Sequence, residues 1–381
     1  MRYVQINSRA DVWAESIIFS KHRELQAHGD ESWVFWARGE HEQDEYMQKI
    51  ASYPEVCMDA LFTRIDGRAG FHSKTITRRL LEKLDAINPD VVHLHVLLGY
   101  YINVKMLFEW LASHRCKVVW TLHDCWAFTG HCIYFTYAKC TQWRNGCALC
   151  KVCPQKKEYP EMLFGGDRSV RWNFEEKKRL FTMLPPDRMR LITPSQWLAD
   201  LVKQSFLAKY DVEVLHNTVN TSVFKPTPSD FRERYGIGNR FMVLGVASKW
   251  SERKGLQDFI RLARDLDPKF FAVVVVGLSR EQINKIKDEQ LIALPKTNSL
   301  EELASAYTTA DVFFNPTQED NLPTVNLEAQ ECGTPVITYD TGGCSETISL
   351  VTSEVVKDFR QAEEKILERA LDIEMDILGC Q

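Results

Sequence analysis

The sequence predicts an α/β protein of two Rossmann-like domains facing each other across a cleft. Three observations carry this expectation. The chain has 381 residues, too many for one compact core and about right for two. Short apolar runs alternate with longer amphipathic stretches from end to end, the pattern of parallel sheets covered by helices on both sides. Near the middle a polar segment, Asn217-Thr218-Val219-Asn220-Thr221 followed by Pro226 and Pro228, interrupts that alternation. The first domain is therefore expected over 1–220 and the second over 221–381.

In the first half, strands are expected at Tyr3–Ile6, Trp33–Trp36, Val91–His95, Lys117–Leu122, Leu191–Thr193 and Val212–Leu215. Helical patterns separate them at Val12–Ala27, Lys74–Asp85 and Pro194–Val202. In the second half, strands at Phe241–Val246, Phe271–Val276, Leu291–Leu294, Val312–Phe314 and Pro335–Thr338 alternate with helices at Leu256–Asp265, Leu300–Thr308 and Thr324–Cys332. Several of the strands are almost wholly apolar, as strands buried on both faces should be. The tail reads as a charged helix over about Asp358–Leu378.

Composition narrows the function classes. Apolar residues at 45% and charged residues at 26% suit a soluble globular protein. A formal net charge of −5 gives no reason to expect a nucleic-acid partner. No stretch approaches ~18 consecutive apolar residues, so no transmembrane helix is expected. Met1–Asn7 is a short strand pattern without the apolar run of a signal peptide, and a cytoplasmic location is expected.

In open parallel sheets, ligands bind beyond the carboxyl ends of strands. Four places qualify. His95 follows one strand and leads to Tyr100, while His123 and Asp124 follow the next. Lys249, Arg253 and Lys254 crowd a strand-to-helix loop, where cations and helix amides make an anion site. Asn315 to Glu328 follows the strand Val312–Phe314: Glu319 and Asp320 precede a helix, Asn321 or Leu322 adjoins its start, and Pro323 suits its first turn. The free amides there, with Thr324, could receive a phosphate or a sugar hydroxyl. Glu328, in the second turn, can hydrogen-bond ribose hydroxyls with both oxygens. Finally, Thr341-Gly342-Gly343 offers a turn where backbone can approach a ligand closely.

These residues resemble a known family. Phe314 to Pro323, continued by Glu328 to Val336 and Thr341-Gly342-Gly343, resembles the donor motif of glycosyltransferase family 4. Thr193-Pro194-Ser195-Gln196-Trp197-Leu198 and His216-Asn217 with Phe224 resemble other landmarks of that family. Val92-His93-Leu94-His95 and Trp120 to Trp126 resemble a subgroup of colanic-acid-type and capsular polysaccharide transferases. The likeness runs from about residue 60 to about residue 346.

The resemblance implies the type B glycosyltransferase fold and a retaining hexosyl transfer from a UDP- or GDP-sugar. The nucleotide lies in the second domain, and the acceptor is a glycan, lipid-linked through polyprenyl diphosphate, in the first. By position, Lys254 and Lys249 match two basic diphosphate-binding residues, with Arg253 an extra cation nearby. Glu328 matches the second glutamate of a Glu-x7-Glu motif and Asp320 stands where the first is expected, with Glu319 beside it. His123 matches a first-domain histidine that faces the donor. His123, Lys254, Asp320 and Glu328 are thus the expected catalytic set, with His95, Tyr100 and Asp124 on the acceptor side. None of these strand-end segments carries an Asp-x-Asp metal motif, so no catalytic metal is expected.

The chain departs from the family at Asn7-Ser8-Arg9-Ala10-Asp11, which replaces a glycine-rich loop, at Asn217-Thr218, and after Glu346, where only a short tail remains. A lipid-linked acceptor predicts loose docking on the inner face of the cell membrane through Arg78, Arg79 and other basic residues. Two other readings stay open: an acceptor-independent nucleotide-sugar epimerase, and a non-catalytic, zinc-stabilised binding protein of the same fold.

The zinc reading rests on an insertion, 125–160, in a chain with 11 cysteines. Cys132, Cys140, Cys147, Cys150 and Cys153 fall there, and Cys147-x-x-Cys150 and Cys150-x-x-Cys153 both have metal-knuckle spacing. Four thiolates, or three with His131, could close a structural Zn2+ site. The alternative is reduced, partly buried thiols; a disulfide pair suits the cytoplasm less.

Overall fold

A computed structural model describes residues 1–10, 15–149, 152–164 and 166–379. The chain divides into two compact units, Met1–Asn217 and Thr218–Gln381.

The first unit is a seven-stranded parallel sheet in the order β3-β2-β1-β4-β5-β6-β7. The strands are β1 (Arg2–Arg9), β2 (Glu31–Arg38), β3 (Met47–Lys49), β4 (Val91–Leu94), β5 (Lys117–Thr121), β6 (Met189–Thr193) and β7 (Val212–Val214). Central positions on both faces are buried: Val4 and Ile6 of β1 join the main core, and so does its neighbour Phe35, whereas Val34 and Trp36 of β2 line a smaller cluster on the opposite face. Strand order reverses between β1 and β4, so the chain leaving those two strands flanks the switch point.

The helices of this unit are α1 (Ser20–Ala27), α2 (Tyr53–Asp66), α3 (Lys74–Ile87), α4 (Val104–Ser113), α5 (Gly166–Phe181) and α6 (Gln196–Val202). The expected helix Val12–Ala27 begins at residues outside those described; a π-helical turn, Glu15–Phe19, precedes α1. Local chemistry sets the ends. Ser52 and Glu55 form a capping box at the start of α2, and Gly67 closes it at φ 72°. Helix α3 inserts Ile76, Leu80 and Leu84 along one stripe.

The second unit is a six-stranded parallel sheet, β10-β9-β8-β11-β12-β13. Its strands are β8 (Phe241–Val246), β9 (Phe271–Val276), β10 (Ile292–Leu294), β11 (Val312–Asn315), β12 (Val336–Tyr339) and β13 (Glu354–Val356). Alternate residues of β8 enter separate cores: Phe241 and Val243 on one face, Met242 and Leu244 on the other. The order reverses between β8 and β11.

The helices here are α7 (Phe231–Arg234), α8 (Leu256–Asp265), α9 (Arg280–Lys285), α10 (Leu300–Thr309), α11 (Thr324–Glu331) and α12 (Phe359–Gly379). Gly245 of β8 has no side chain because the Phe259 ring of α8 occupies the space, 2.2 Å from where a Cβ would stand.

The tail corrects an expectation. It is more than a charged helix: Glu354–Val356 adds an edge strand parallel to β12, and Phe359, Ala362 and Ile366 of α12 bury themselves in the second unit's own core.

Candidate functional site

Three loops at the carboxyl ends of β8, β11 and β12 assemble the second unit's site. The loop after β8 closes in a 3-10 turn, Glu252–Lys254, and Gly255 at φ 76°. A Cβ on Gly255 would stand 2.4 Å from the Pro316 carbonyl, so glycine lets this loop lie against the one after β11. The Gln318 N–H donates to the Arg253 carbonyl at 2.7 Å. In return the Arg253 guanidinium donates to the Glu319 carbonyl. The loop after β12 completes the set: Thr341 Oγ1 donates to the Thr317 carbonyl at 2.6 Å, and the Gly343 N–H to the Asp320 carbonyl at 2.9 Å.

At the centre is the Asp320 carboxylate. It forms an ion pair with the Lys254 ammonium, lies 3.7 Å from the Arg253 guanidinium and accepts the Asn321 N–H at 3.0 Å. Burial pushes its pKa up, but the Lys254 and Arg253 charges outweigh that and hold it below the usual 3.8. The structure therefore brings Arg253, Lys254, Glu319, Asp320 and Asn321 together. The Glu319 side chain and Leu322 are buried beside them. Lys249 is exposed, and among the described contacts none joins it to this cluster.

Two expectations about α11 need correction. Pro323 caps the helix in an extended conformation, φ −65° and ψ 109°, rather than sitting in its first turn, because Thr324 is the first helical residue. Among the described residues no side chain caps this N-terminus, and the Asn326 N–H donates to the Pro323 carbonyl at 3.1 Å. Glu328 does not offer both oxygens freely. Its Oε2 accepts the Tyr307 hydroxyl at 2.9 Å, its carboxyl also bonds Thr324, and burial raises its pKa. The sequence reading missed Tyr307, since nothing in the spacing of α10 marks it as a partner of α11.

In the first unit, the neighbouring strands β4 and β5 pair Leu94 with Trp120 and so bring the residues after them together. His123 Nε2 lies 3.5 Å from His95 Nδ1, and the His93 and His95 rings stack at 4.1 Å. His93, unflagged as a site residue, anchors the row: its Nδ1 meets the Tyr3 hydroxyl and its Nε2 meets Thr121 Oγ1, both at 2.8 Å. Burial lowers the pKa of His93 to about 3 and of His123 to about 4, and holds His95 well below 6.5. All three are neutral at pH 7. His95, His123, Asp124, Leu98 and Trp126 line one small cavity.

Asp124 accepts the Trp126 N–H at 2.8 Å, and burial raises its pKa to about 6. Nearby, Lys177 of α5 is fully buried, donates to the Trp126 carbonyl at 2.6 Å and lies 4.0 Å from that ring's centroid. Burial lowers its pKa to about 7. The signal for it was present in the sequence: Lys177 occupies the stripe of Val170, Phe174 and Phe181. Tyr100, at φ 64°, packs elsewhere, edge-on to Tyr159 and under Arg38.

The histidine row has a testable pH signature. An unfolded chain takes up protons on these rings as pH falls through 6.5, whereas the folded chain resists until about 4. That contribution is complete above pH 6.5 and is lost as pH falls towards 4. Asp124 works in the opposite sense below pH 6. The melting temperature of wild type is expected to drop more steeply between pH 6.5 and 4 than that of His93→Gln, measured side by side.

In the insertion, Cys132, Cys140, Cys147 and Cys153 surround one cavity together with His131. The Gly130 N–H donates to Cys147 Sγ at 3.1 Å, and the Gln155 backbone to Cys153. Cys150 lies outside the described residues. Among the described residues, no three histidine, cysteine or carboxylate side chains are spaced to hold a metal ion.

Comparison with known proteins agrees with this architecture. The family model described as Glycosyltransferase Family 4 matches residues 14–223, and that described as Glycosyl transferases group 1 matches residues 229–374. A putative colanic acid biosynthesis glycosyl transferase, WcaC, of Escherichia coli K12 is 24% identical over 332 residues, covering 85% of this chain and 75% of the relative. Sucrose-phosphate synthase from Thermosynechococcus elongatus superposes with a TM-score of 0.68 at 13% identity, over 97% of this chain and 90% of the other. HepE from Anabaena, solved in complex with UDP-glucose, gives 0.61 at 13% identity, over 98% and 91%. These two likenesses speak to the fold, which is that of the type B glycosyltransferases. With one family model spanning more than half of its length and a second spanning most of the remainder, this chain belongs to glycosyltransferase family 4 and is a glycosyltransferase.

Proposed function

We propose that the chain is a retaining transferase that moves a sugar from a UDP- or GDP-sugar onto a lipid-linked glycan in surface polysaccharide synthesis. The single observation that carries the donor half is the Arg253–Lys254–Asp320 cluster at the switch point of the second sheet, next to the N-terminus of α11. A leaving nucleoside diphosphate departs as an anion. Lys254, Arg253 and the α11 amides supply fixed positive charge where that anion develops. Asp320 holds both cations in place before the donor arrives, so little reorganisation remains for the reaction, and its carboxylate is the one we assign to the donor sugar's hydroxyls. Glu328, steadied by Tyr307, is assigned to the ribose. Neutral His123 is suited to hydrogen-bonding a sugar hydroxyl.

The acceptor half is supported by WcaC, whose name places it in colanic acid biosynthesis. Retention without a dedicated nucleophile implies attack on the face from which the diphosphate leaves. Proton NMR of the slow hydrolysis of an α-linked nucleotide sugar tests this. The α-anomer should appear first, and prompt release of the β-anomer would sink the retaining assignment. Appearance of an epimerised nucleotide sugar without acceptor would favour the epimerase reading instead.

We also propose a structural zinc ion in the insertion, held by four thiolates drawn from Cys132, Cys140, Cys147, Cys150 and Cys153, with either Cys150 or Cys153 surplus. Four of these thiols already ring one cavity; burial raises the Cys132, Cys147 and Cys153 thiols above 9, two backbone N–H groups work against that rise at Cys147 and Cys153, and a bound cation would supply the rest. The thiols must draw closer to coordinate a common ion. Elemental analysis of the purified protein should find about one zinc per chain, lost together with thermal stability in Cys147→Ser/Cys153→Ser. Metal-free protein with an unchanged melting temperature after chelation would exclude the ion.

A further inference from the structure

Helix α2 is turned inside out. Its inward positions are Val56, Asp59 and Thr63, while its outward face carries Met58, Leu61, Phe62 and Ile65, exposed by 57%, 54%, 45% and 44%. A soluble helix normally shows the opposite pattern. The inversion is fixed by specific bonds: the buried Asp59 carboxylate accepts the Thr63 hydroxyl at 3.1 Å and the Ser73 hydroxyl, which seats the polar side against the start of α3. A second segment extends the apolar face. The Leu163 N–H donates to the Arg64 carbonyl at 2.6 Å, and there Leu163 and Phe164 stand 62% and 78% exposed. Two distant parts of the chain thus present one apolar ridge.

The charge around this ridge runs against that of the whole chain. Arg68, Lys74 and Arg78 are exposed on the turns that follow it in the chain. Two carboxylates nearby are paired with arginines, Glu55 with Arg79 at 2.7 Å and Glu161 with Arg64 at 3.4 Å, and Asp66 lies 3.1 Å from the His72 ring. Arg79, a docking residue expected from the sequence, is therefore spent on Glu55 and the Ile50 carbonyl. The remaining cations flank an apolar ridge in a chain of net charge −5. Protruding aliphatic and aromatic side chains with a basic rim match an anionic bilayer surface, where the apolar groups enter the acyl boundary and the cations meet head groups. Among the described residues no helix is long and apolar enough to cross a membrane, so such contact would be peripheral.

We infer that the outward face of α2, with Leu163 and Phe164, is a docking surface for an anionic lipid bilayer. The choice of bilayer over a protein partner rests on the proposed lipid-linked acceptor; the surface itself does not. Docking would hold the transferase where a polyprenyl-linked substrate is confined, raising its effective concentration.

The test is co-sedimentation of the full chain with vesicles of phosphatidylglycerol and phosphatidylcholine, against phosphatidylcholine alone, at low and high salt. Wild type should bind the anionic vesicles and release in salt. Leu61→Ser/Phe62→Ser/Phe164→Ser should bind at least ~10-fold more weakly, as the loss of three inserted apolar side chains requires. Phe164→Ser alone, at the most exposed position, gives a smaller loss and guards against misfolding of the triple variant. Neither variant should change the thermal shift caused by the donor nucleotide, so failure of docking and failure of the donor assignment remain distinguishable. No vesicle binding by wild type, or equal binding by both variants, overturns the inference. So does a wild-type dimer that the triple variant dissociates, which would make the ridge a self-association face.

Discussion

Replacing Lys254 with alanine is expected to lower kcat/KM by about 10²–10³, or ~2.7–4 kcal/mol in the barrier, the magnitude of removing one fixed donor to a developing anion. The loss should fall mainly on kcat, because Lys254 meets the diphosphate most strongly as charge builds on it. The same change disturbs the resting protein. Of its described partners Asp320 would keep Arg253, at 3.7 Å, and the Asn321 amide. A mostly buried carboxylate stripped of its closest cation costs on the order of 1–3 kcal/mol. The sign with pH follows from its depressed pKa: the contribution of Asp320 is present above 3.8 and is lost as pH falls through the lower folded value. Kinetics and folding separate in a double-mutant cycle. Asp320→Ala added to Lys254→Ala should recover melting temperature and leave turnover low. Recovery of turnover along with stability would mean that Lys254 serves only as a counter-ion.

Gly342→Ala is expected to be among the most damaging small substitutions in the second unit. Gly342 sits at φ 60°, and an added Cβ would stand 1.9 Å from the Asp320 carbonyl oxygen and 2.9 Å from its amide nitrogen. The obstacle is backbone, so no side-chain rotation relieves it. Left-handed strain alone costs ~1–2 kcal/mol, and displacing the Asp320 peptide brings the expected loss to ~3 kcal/mol or more. Activity should fall further than stability, since the Gly343 N–H that holds the Asp320 carbonyl moves with the turn. Gly236 is the control: it shares a positive φ of 61°, but nothing lies within 4 Å of its added Cβ. Gly236→Ala should cost only the local strain and leave kcat/KM intact. Equal effects of the two substitutions on turnover would remove the steric argument.

Much of this fold was legible because buried parallel strands write themselves as apolar runs. Phe241–Val246 and Phe271–Val276 stand where the pattern puts them, and so does Leu256–Asp265, whose Phe259, Ile260, Leu262 and Ala263 are buried. The first-unit histidines were legible too, since residues after adjacent parallel strands must meet. What escaped has physical causes. Helix α2 spaces Met58, Leu61, Phe62 and Ile65 at helical intervals but turns that stripe outward, and periodicity does not tell which way a stripe faces. Helix α4, Val104–Ser113, does carry a helical stripe, Val104, Leu107, Phe108 and Leu111, but it is short and follows directly on the apolar run after β4. Helix α5 buries Asn173 and Lys177 within its stripe. Strand β13 has three residues, below what a pattern can resolve.

The candidate site divides in the same way. The Lys254 and Asp320 positions could be named from the sequence, but their contact spans 66 residues and depends on β8 lying beside β11. Glu328 could be named while its bond to Tyr307, 21 residues away, could not.

The central claim is that the nucleotide of the donor binds in the second domain through the Lys254 loop and Glu328 of α11. A thermal-shift titration of wild type and Glu328→Ala with UDP, GDP and their sugars tests it most directly. At ~100 times Kd a ligand adds about 2.7 kcal/mol, which is several degrees in melting temperature. The account predicts such a rise in wild type for one base, and its loss in Glu328→Ala. No rise with any nucleotide in a cooperatively folding sample, or a rise that Glu328→Ala leaves untouched, would contradict it.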